Sequence, residues 1–258
     1  MTHQNQKSEK GFTLVELAIV LIIVGLLIGG ILQGQELIRN SQITATATQA
    51  QAVEAALNSF RDSFGTFPGD LEQANIRLPN CAAAPCLLAA APVSNGRIDT
   101  DPGAAVAATQ EGLAAFAQMA AADLISGVNP TPVNAALNLT DEVLETELGG
   151  SGFTVGYVTD LTAITGESGT TPWTPGHYIG FTGVTLAAVA TGAGNTTNAF
   201  EAEAAAKIDS KIDDSRPNTG TVRAGGPVAA GECANAADLT GIYANQTLQS
   251  CTVFIKVQ

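Results

Sequence analysis

The 258-residue chain carries 45% hydrophobic and only 14% charged residues, so it can build an apolar core and lacks the charge-rich profile of a disordered chain. Its length suits one ordinary domain plus an extra element and is short for two well-built domains. A formal net charge of -13 includes twelve acidic residues from Asp99 to Glu203 and no Lys or Arg between Ile98 and Ala206. That surface repels phosphate backbones and argues against nucleic-acid binding.

The first element is a polar leader holding Lys7, Glu9 and Lys10, followed from Phe12 to Leu32 by 21 residues whose single charge is Glu16. At about 1.5 Å per helical residue this run covers a bilayer core of about 30 Å. Positive charge before it keeps the leader on the cytoplasmic side and sends the rest of the chain across. The run is longer than a secretory signal core and continues without proline into ILQGQELIRNSQI, so it reads as an anchor. A carboxylate one turn inside hydrocarbon costs several kcal/mol unless matched. Cutting after Gly11 would supply a match, the free amine of Phe12, either within the chain or between staggered subunits. Gly25 with Gly29, and Gly30 with Gly34, have the small-x-x-x-small spacing that lets helices approach closely.

The stretch KGFTLVEL ahead of an apolar helix resembles the prepilin signature of type IV pilins and type II secretion pseudopilins. The resemblance implies cleavage between Gly11 and Phe12 by a prepilin peptidase, methylation of the Phe12 amine, and an assembly role for Glu16. It also implies other pilin-like subunits and an assembly machine as partners, and an inner-membrane anchor with a periplasmic head. The first proline after Phe12 is Pro68, whereas many pilins carry one within the helix, so a straighter stalk is expected.

Further along, Ile43, Ala47, Ala50, Val53, Leu57, Phe60 and Phe64 recur at steps of three and four and predict an amphipathic helix lying on a folded head, stopped by Pro68-Gly69. The domain reading is therefore a leader at 1–11, a transmembrane assembly helix at 12–34, an amphipathic stalk at 35–66 and an exported head at 67–258. Residues Leu71 to Pro102 read as loop. Thr109 to Ser126 and Asn198 to Ile212 read as helices, with a short helical turn at Asp141 to Leu148. Phe153 to Val158, His177 to Val189 and Cys251 to Val257 read as strands, and Pro217 to Gly220 as a turn. The fold class expected is α+β, a long N-terminal helix packed on a C-terminal head with an antiparallel sheet. Phe67 to Asp70 (FPGD) and Ile212 to Gly220 (IDDSRPNTG) also resemble segments of a pilin-like subgroup.

Cys81, Cys86, Cys233 and Cys251 form two separated pairs beyond the membrane segment, which suits an oxidising compartment. Three connectivities are open, local pairing being the simplest. Asp99 and Asp101 with Asn95, and Asp209, Asp213 and Asp214, are candidate calcium ligands, although neither group has the alternating ligands of a full calcium loop. No other cofactor is expected. His177 is the only histidine beyond the leader, and no nucleophile elbow or phosphate loop occurs, so no enzyme is expected. The expected function is a structural pilus or pseudopilus subunit. The rival is a pilin-anchored periplasmic binding or adhesive domain, with the Trp173 region (TPWTPG) or a head loop contacting a ligand, although Trp173 reads first as an aromatic packed under a proline turn.

Overall fold

Helix α1, Leu14–Phe64, runs for 51 residues because nothing in the sequence interrupts it before Gly65. In this computed structural model the described residues are 13–88, 94–102, 110–130, 144–159, 173–182, 199–225, 233, 242–243 and 249–258. The chain divides into two compact units, one ending at Ser41 and the other beginning at Gln42.

In the second unit α1 buries the periodic stripe: Ile43, Ala47, Ala50, Val53, Leu57 and Phe60 are shielded from solvent, while Phe64 is half-buried. Each fully buried large side chain of this kind stabilises by about 1.5–3 kcal/mol. The helix stops earlier than Pro68-Gly69. Gly65 adopts φ +79° and its N–H bonds the Arg61 carbonyl at 2.8 Å, a left-handed end that only glycine adopts at no steric cost.

A four-residue helix, α2 (Ala74–Arg77), interrupts the segment expected to be loop. Helix α3 spans Glu111–Ala121, shorter than the expected Thr109 to Ser126. Its end is a Schellman arrangement with Asp123 in the left-handed position at φ +59°, where Asp123 N–H bonds the Ala120 carbonyl and Leu124 N–H the Met119 carbonyl. Gly112 lets α3 press onto the sheet, since a Cβ there would collide with the Val155 carbonyl.

The sheet contains β1 (Gly152–Val158), β2 (Gly176–Thr182), β3 (Phe200–Glu201), β4 (Val222–Gly225) and β5 (Gln249–Lys256). Every pairing is antiparallel. β1 pairs with β2 over its whole length, and β5 pairs with β2, β3 and β4. Phe153 stands opposite Phe181, with ring centroids 4.9 Å apart, and Phe200 meets Phe181 at 5.1 Å. Such aromatic pairs add to their area burial. Helix α4 (Ala202–Ile212) follows β3 directly, so Phe200 and Glu201 of the expected helix are strand. Of the helical turn expected at 141–148, residues 141–143 lie outside the described residues, and Glu145 forms an isolated antiparallel bridge to Gly152. Residues 183–189 of the second expected strand lie outside the described residues. The architecture is α+β, a long N-terminal helix with a C-terminal antiparallel sheet.

Candidate functional site

Thr13 and Glu16 close the N-terminus of α1 on themselves. Glu16 Oε2 accepts from the Thr13 backbone N–H and from the Thr13 hydroxyl, both at 2.9 Å, while the Glu16 N–H donates to Thr13 Oγ1 at 3.3 Å. This is a capping box, and its T-x-x-E spacing ahead of an apolar run was the signal available in the sequence. The carboxylate inside the apolar run therefore has two donors from its own chain. Both reach one oxygen. Gly11 and Phe12 lie outside the described residues.

Beyond the box the apolar residues of α1 are exposed around the whole helix, from Leu14 through Leu32 to Leu37 and Ile38. An 18-residue window of this helix reaches a mean hydropathy of 2.8, enough to cross a bilayer by length and composition. Gly25, Gly29, Gly30 and Gly34 border open space.

In the head the acidic residues organise backbone. Five successive N–H groups at 95–99 end on side chains: Asn95 and Gly96 on Asp70 at 3.2 and 2.8 Å, Arg97 on Asn95 Oδ1 at 2.9 Å, Ile98 on His177 Nε2 at 3.3 Å and Asp99 on Glu111 Oε2 at 2.5 Å. Asp70 is fully buried and also takes the Thr66 hydroxyl at 2.7 Å. Burial and the nearby Arg61 and Arg97 push His177 down to about 4, so it accepts as a neutral imidazole. Burial pushes Glu111 up to about 7, against the bond from the Asp99 amide and with the charges of Asp99 and Asp70.

The second resembling segment is built alike. Asp213 Oδ2 accepts from the backbone N–H and hydroxyl of Thr221 and from Val222 N–H, drawing the chain into β4. Asp214 holds Arg216 N–H at 2.9 Å and the Thr219 hydroxyl at 2.6 Å. Asp209 is buried, accepts from Ser215 N–H at 3.3 Å and the Tyr243 hydroxyl at 2.8 Å, and is pushed up to about 6 by burial. Burial and then the facing Asp209 push the Tyr243 phenol far up. Sequence reasoning missed Asp70, Glu111, Tyr243 and His177 Nε2 as parts of these clamps, because their partners lie far along the chain.

Residues 6–32 match the family model for the prokaryotic N-terminal methylation motif. The chain carries a type IV pilin-like signature. No curated protein and no solved structure matches it.

A candidate transmembrane helix and two disulfides fit this pilin-like character. Cys81 bonds Cys86 and Cys233 bonds Cys251. Of the candidate calcium ligands, Asp209, Asp213 and Asp214 bring carboxylate oxygens within 4.8 Å of one another. Asp99 instead takes the Asn95 side-chain amide at 2.7 Å, and neither it nor Asp101 joins such a group among the described residues. Trp173 offers the pilin-like head no surface contact: it is 1% exposed, edge-on to Tyr178 and Phe254, with the Arg223 guanidinium 5.3 Å from its ring. His177 is the second residue of β2, its ring centroid 3.8 Å from that of Phe67 and tilted by 31°.

Proposed function

We propose that this pilin-like chain is a structural subunit of a type IV pilus or type II secretion pseudopilus, processed after Gly11 and assembled through its N-terminal helix. The observation that carries the reading is the methylation motif at 6–32 on a helix whose apolar surface is exposed all round and whose one buried-in-oil charge, Glu16, sits at its start. Lipid covers that surface before assembly, and neighbouring helices cover it in the filament. Residues 1–11 are the leader, 12–34 the assembly helix, 35–66 the stalk and 67–258 the periplasmic head. The partners are a prepilin peptidase, other pilin-like subunits and an inner-membrane assembly machine. In the filament the Phe12 amine of one subunit replaces Thr13 as the main partner of a neighbour's Glu16, an attraction that strengthens as water leaves.

Mass spectrometry of the mature N-terminus tests the processing half, with a methylated Phe12 expected. An N-terminus that retains residues 1–11 overturns it. For assembly, Glu16→Ala is expected to be cut normally and to be depleted from sheared filament fractions, and unchanged recovery would remove Glu16 from the mechanism.

A further inference from the structure

Asn95-Gly96 is the only Asn-Gly pair in the chain, and it lies on an exposed turn with Gly96 at φ +77° and open space where a side chain would stand. This dipeptide has an intrinsic chemistry. With no Cβ to shield it, the glycine backbone nitrogen loses its proton to a base and attacks the asparagine Cγ. A new N–Cγ bond forms, the Cγ–Nδ2 bond breaks, and ammonia leaves a five-membered succinimide. Water then opens that ring at either carbonyl, giving aspartate or isoaspartate.

The fold opposes each part of that path. Gly96 N–H points at Asp70 Oδ2, 2.8 Å away, so removing its proton would set a negative nitrogen against a carboxylate. The Asn95 amide is held at both ends, Oδ1 by Arg97 N–H at 2.9 Å and Nδ2 by Asp99 Oδ2 at 2.7 Å. These two bonds restrain rotation of the Asn95 side chain. Asp70 is itself fixed by burial and by Thr66.

We propose that Asn95 is a succinimide-forming modification site that the folded head keeps closed, with Asp70 as its lock, and that its conversion to aspartate or isoaspartate marks opening of the head. The mark outlasts refolding, because the new carboxylate faces Asp99 where an N–H donor stood, and isoaspartate also lengthens the backbone. Chemical change in the opened state then makes unfolding irreversible.

The test incubates the full-length chain in detergent at mildly alkaline pH, folded and in urea, and follows residue 95 by peptide mass mapping. Local protection by the fold is expected to slow conversion at least about tenfold relative to the unfolded chain. Equal rates in the two states, or an intact amide in the unfolded chain, would overturn the proposal. Asp70→Asn, shown folded by circular dichroism, is expected to convert several-fold faster than wild type under native conditions. A folded Asp70→Asn at the wild-type rate would remove Asp70 as the lock. If that variant does not fold, the folded and unfolded wild-type rates decide.

Discussion

The Thr13 hydroxyl lies 2.9 Å from Glu16 Oε2, so the residue that caps α1 and the one charge inside its apolar run satisfy each other. A carboxylate at the first turn also meets the positive end of the helix dipole. In the proposed membrane-stored subunit, this pairing gives Glu16 partners before any neighbour arrives. In the proposed filament the box must yield one acceptor site to an incoming amine.

Replacing Thr13 tests that relationship. Thr13→Val removes the hydroxyl and keeps the shape, costing about 1 kcal/mol at the cap. Glu16 then keeps only the backbone donor. Cleavage after Gly11 is expected to continue, because the substitution lies beyond the cut. Filament incorporation, read from sheared fractions, is expected to fall by less than with Glu16→Ala. Incorporation equal to wild type would show that the cap has no part in presenting Glu16.

Asp213 carries the turn into β4. It gathers three donors from Thr221 and Val222, and Gly220, at φ +75°, is packed so that a Cβ would collide with its carboxylate. Asp213→Ala leaves backbone donors without an acceptor, a loss of about 1–3 kcal/mol. Gly220→Ala adds the strain of a side chain at positive φ to the collision. Both variants are expected to shift urea unfolding to lower midpoints with an unchanged slope. A Gly220→Ala midpoint equal to wild type would contradict the packing described here.

These clamps explain why the fold was only partly legible in the sequence. The buried stripe from Ile43 to Phe60 announces itself because its spacing is local and repeats over five turns. Strand β4 does not: four residues, VRAG, have no alternation to read, and they become a strand only because β5 is beside them. The end of α3 was overrun because Asp123 takes the position where a glycine is the usual signal. In the sequence Asp70 shows only as the end of FPGD, and Asp213 only as a candidate calcium ligand in an acidic stretch. Their partners lie 25 and 26 residues away for Asp70, and 8 and 9 for Asp213, distances at which pattern carries no information. At the candidate site, Glu16 was legible from its cost in hydrocarbon, while Thr13 needed only the T-x-x-E spacing to be noticed.

The two disulfides should contribute unequally. Cys81–Cys86 closes a separation of 5 residues and Cys233–Cys251 one of 18. Loop entropy gives about 2 kcal/mol for the first and about 3 kcal/mol for the second. The Cys233→Ser, Cys251→Ser double variant is expected to lose more stability than the Cys81→Ser, Cys86→Ser pair in urea unfolding. The second bridge also fixes Cys233 to β5, at the sheet centre. An inverted order would mean that local packing around Cys81 outweighs chain entropy.

Loop 95–99 is held by groups that respond to pH in opposite senses. His177 stays neutral in the fold down to about pH 4, against 6.5 for an ordinary imidazole. Between those values the unfolded chain binds a proton that the folded chain refuses, so the His177 contribution is full above pH 6.5 and is lost as pH falls towards 4. The interval corresponds to about 3 kcal/mol at full effect. A protonated ring also loses its capacity to accept Ile98 N–H at Nε2. Glu111 runs the other way. Its carboxyl is raised from 4.5 to about 7, so its contribution is full below 4.5 and disappears as pH rises through 7. Because the two trends overlap, wild-type stability alone hides them. The stability gap between wild type and His177→Gln is expected to narrow by up to about 3 kcal/mol on going from pH 6.5 to 4, whereas the gap between wild type and Glu111→Gln moves against wild type from pH 4.5 to 7. Two gaps that stay constant across these ranges would show that neither group titrates differently in the folded head.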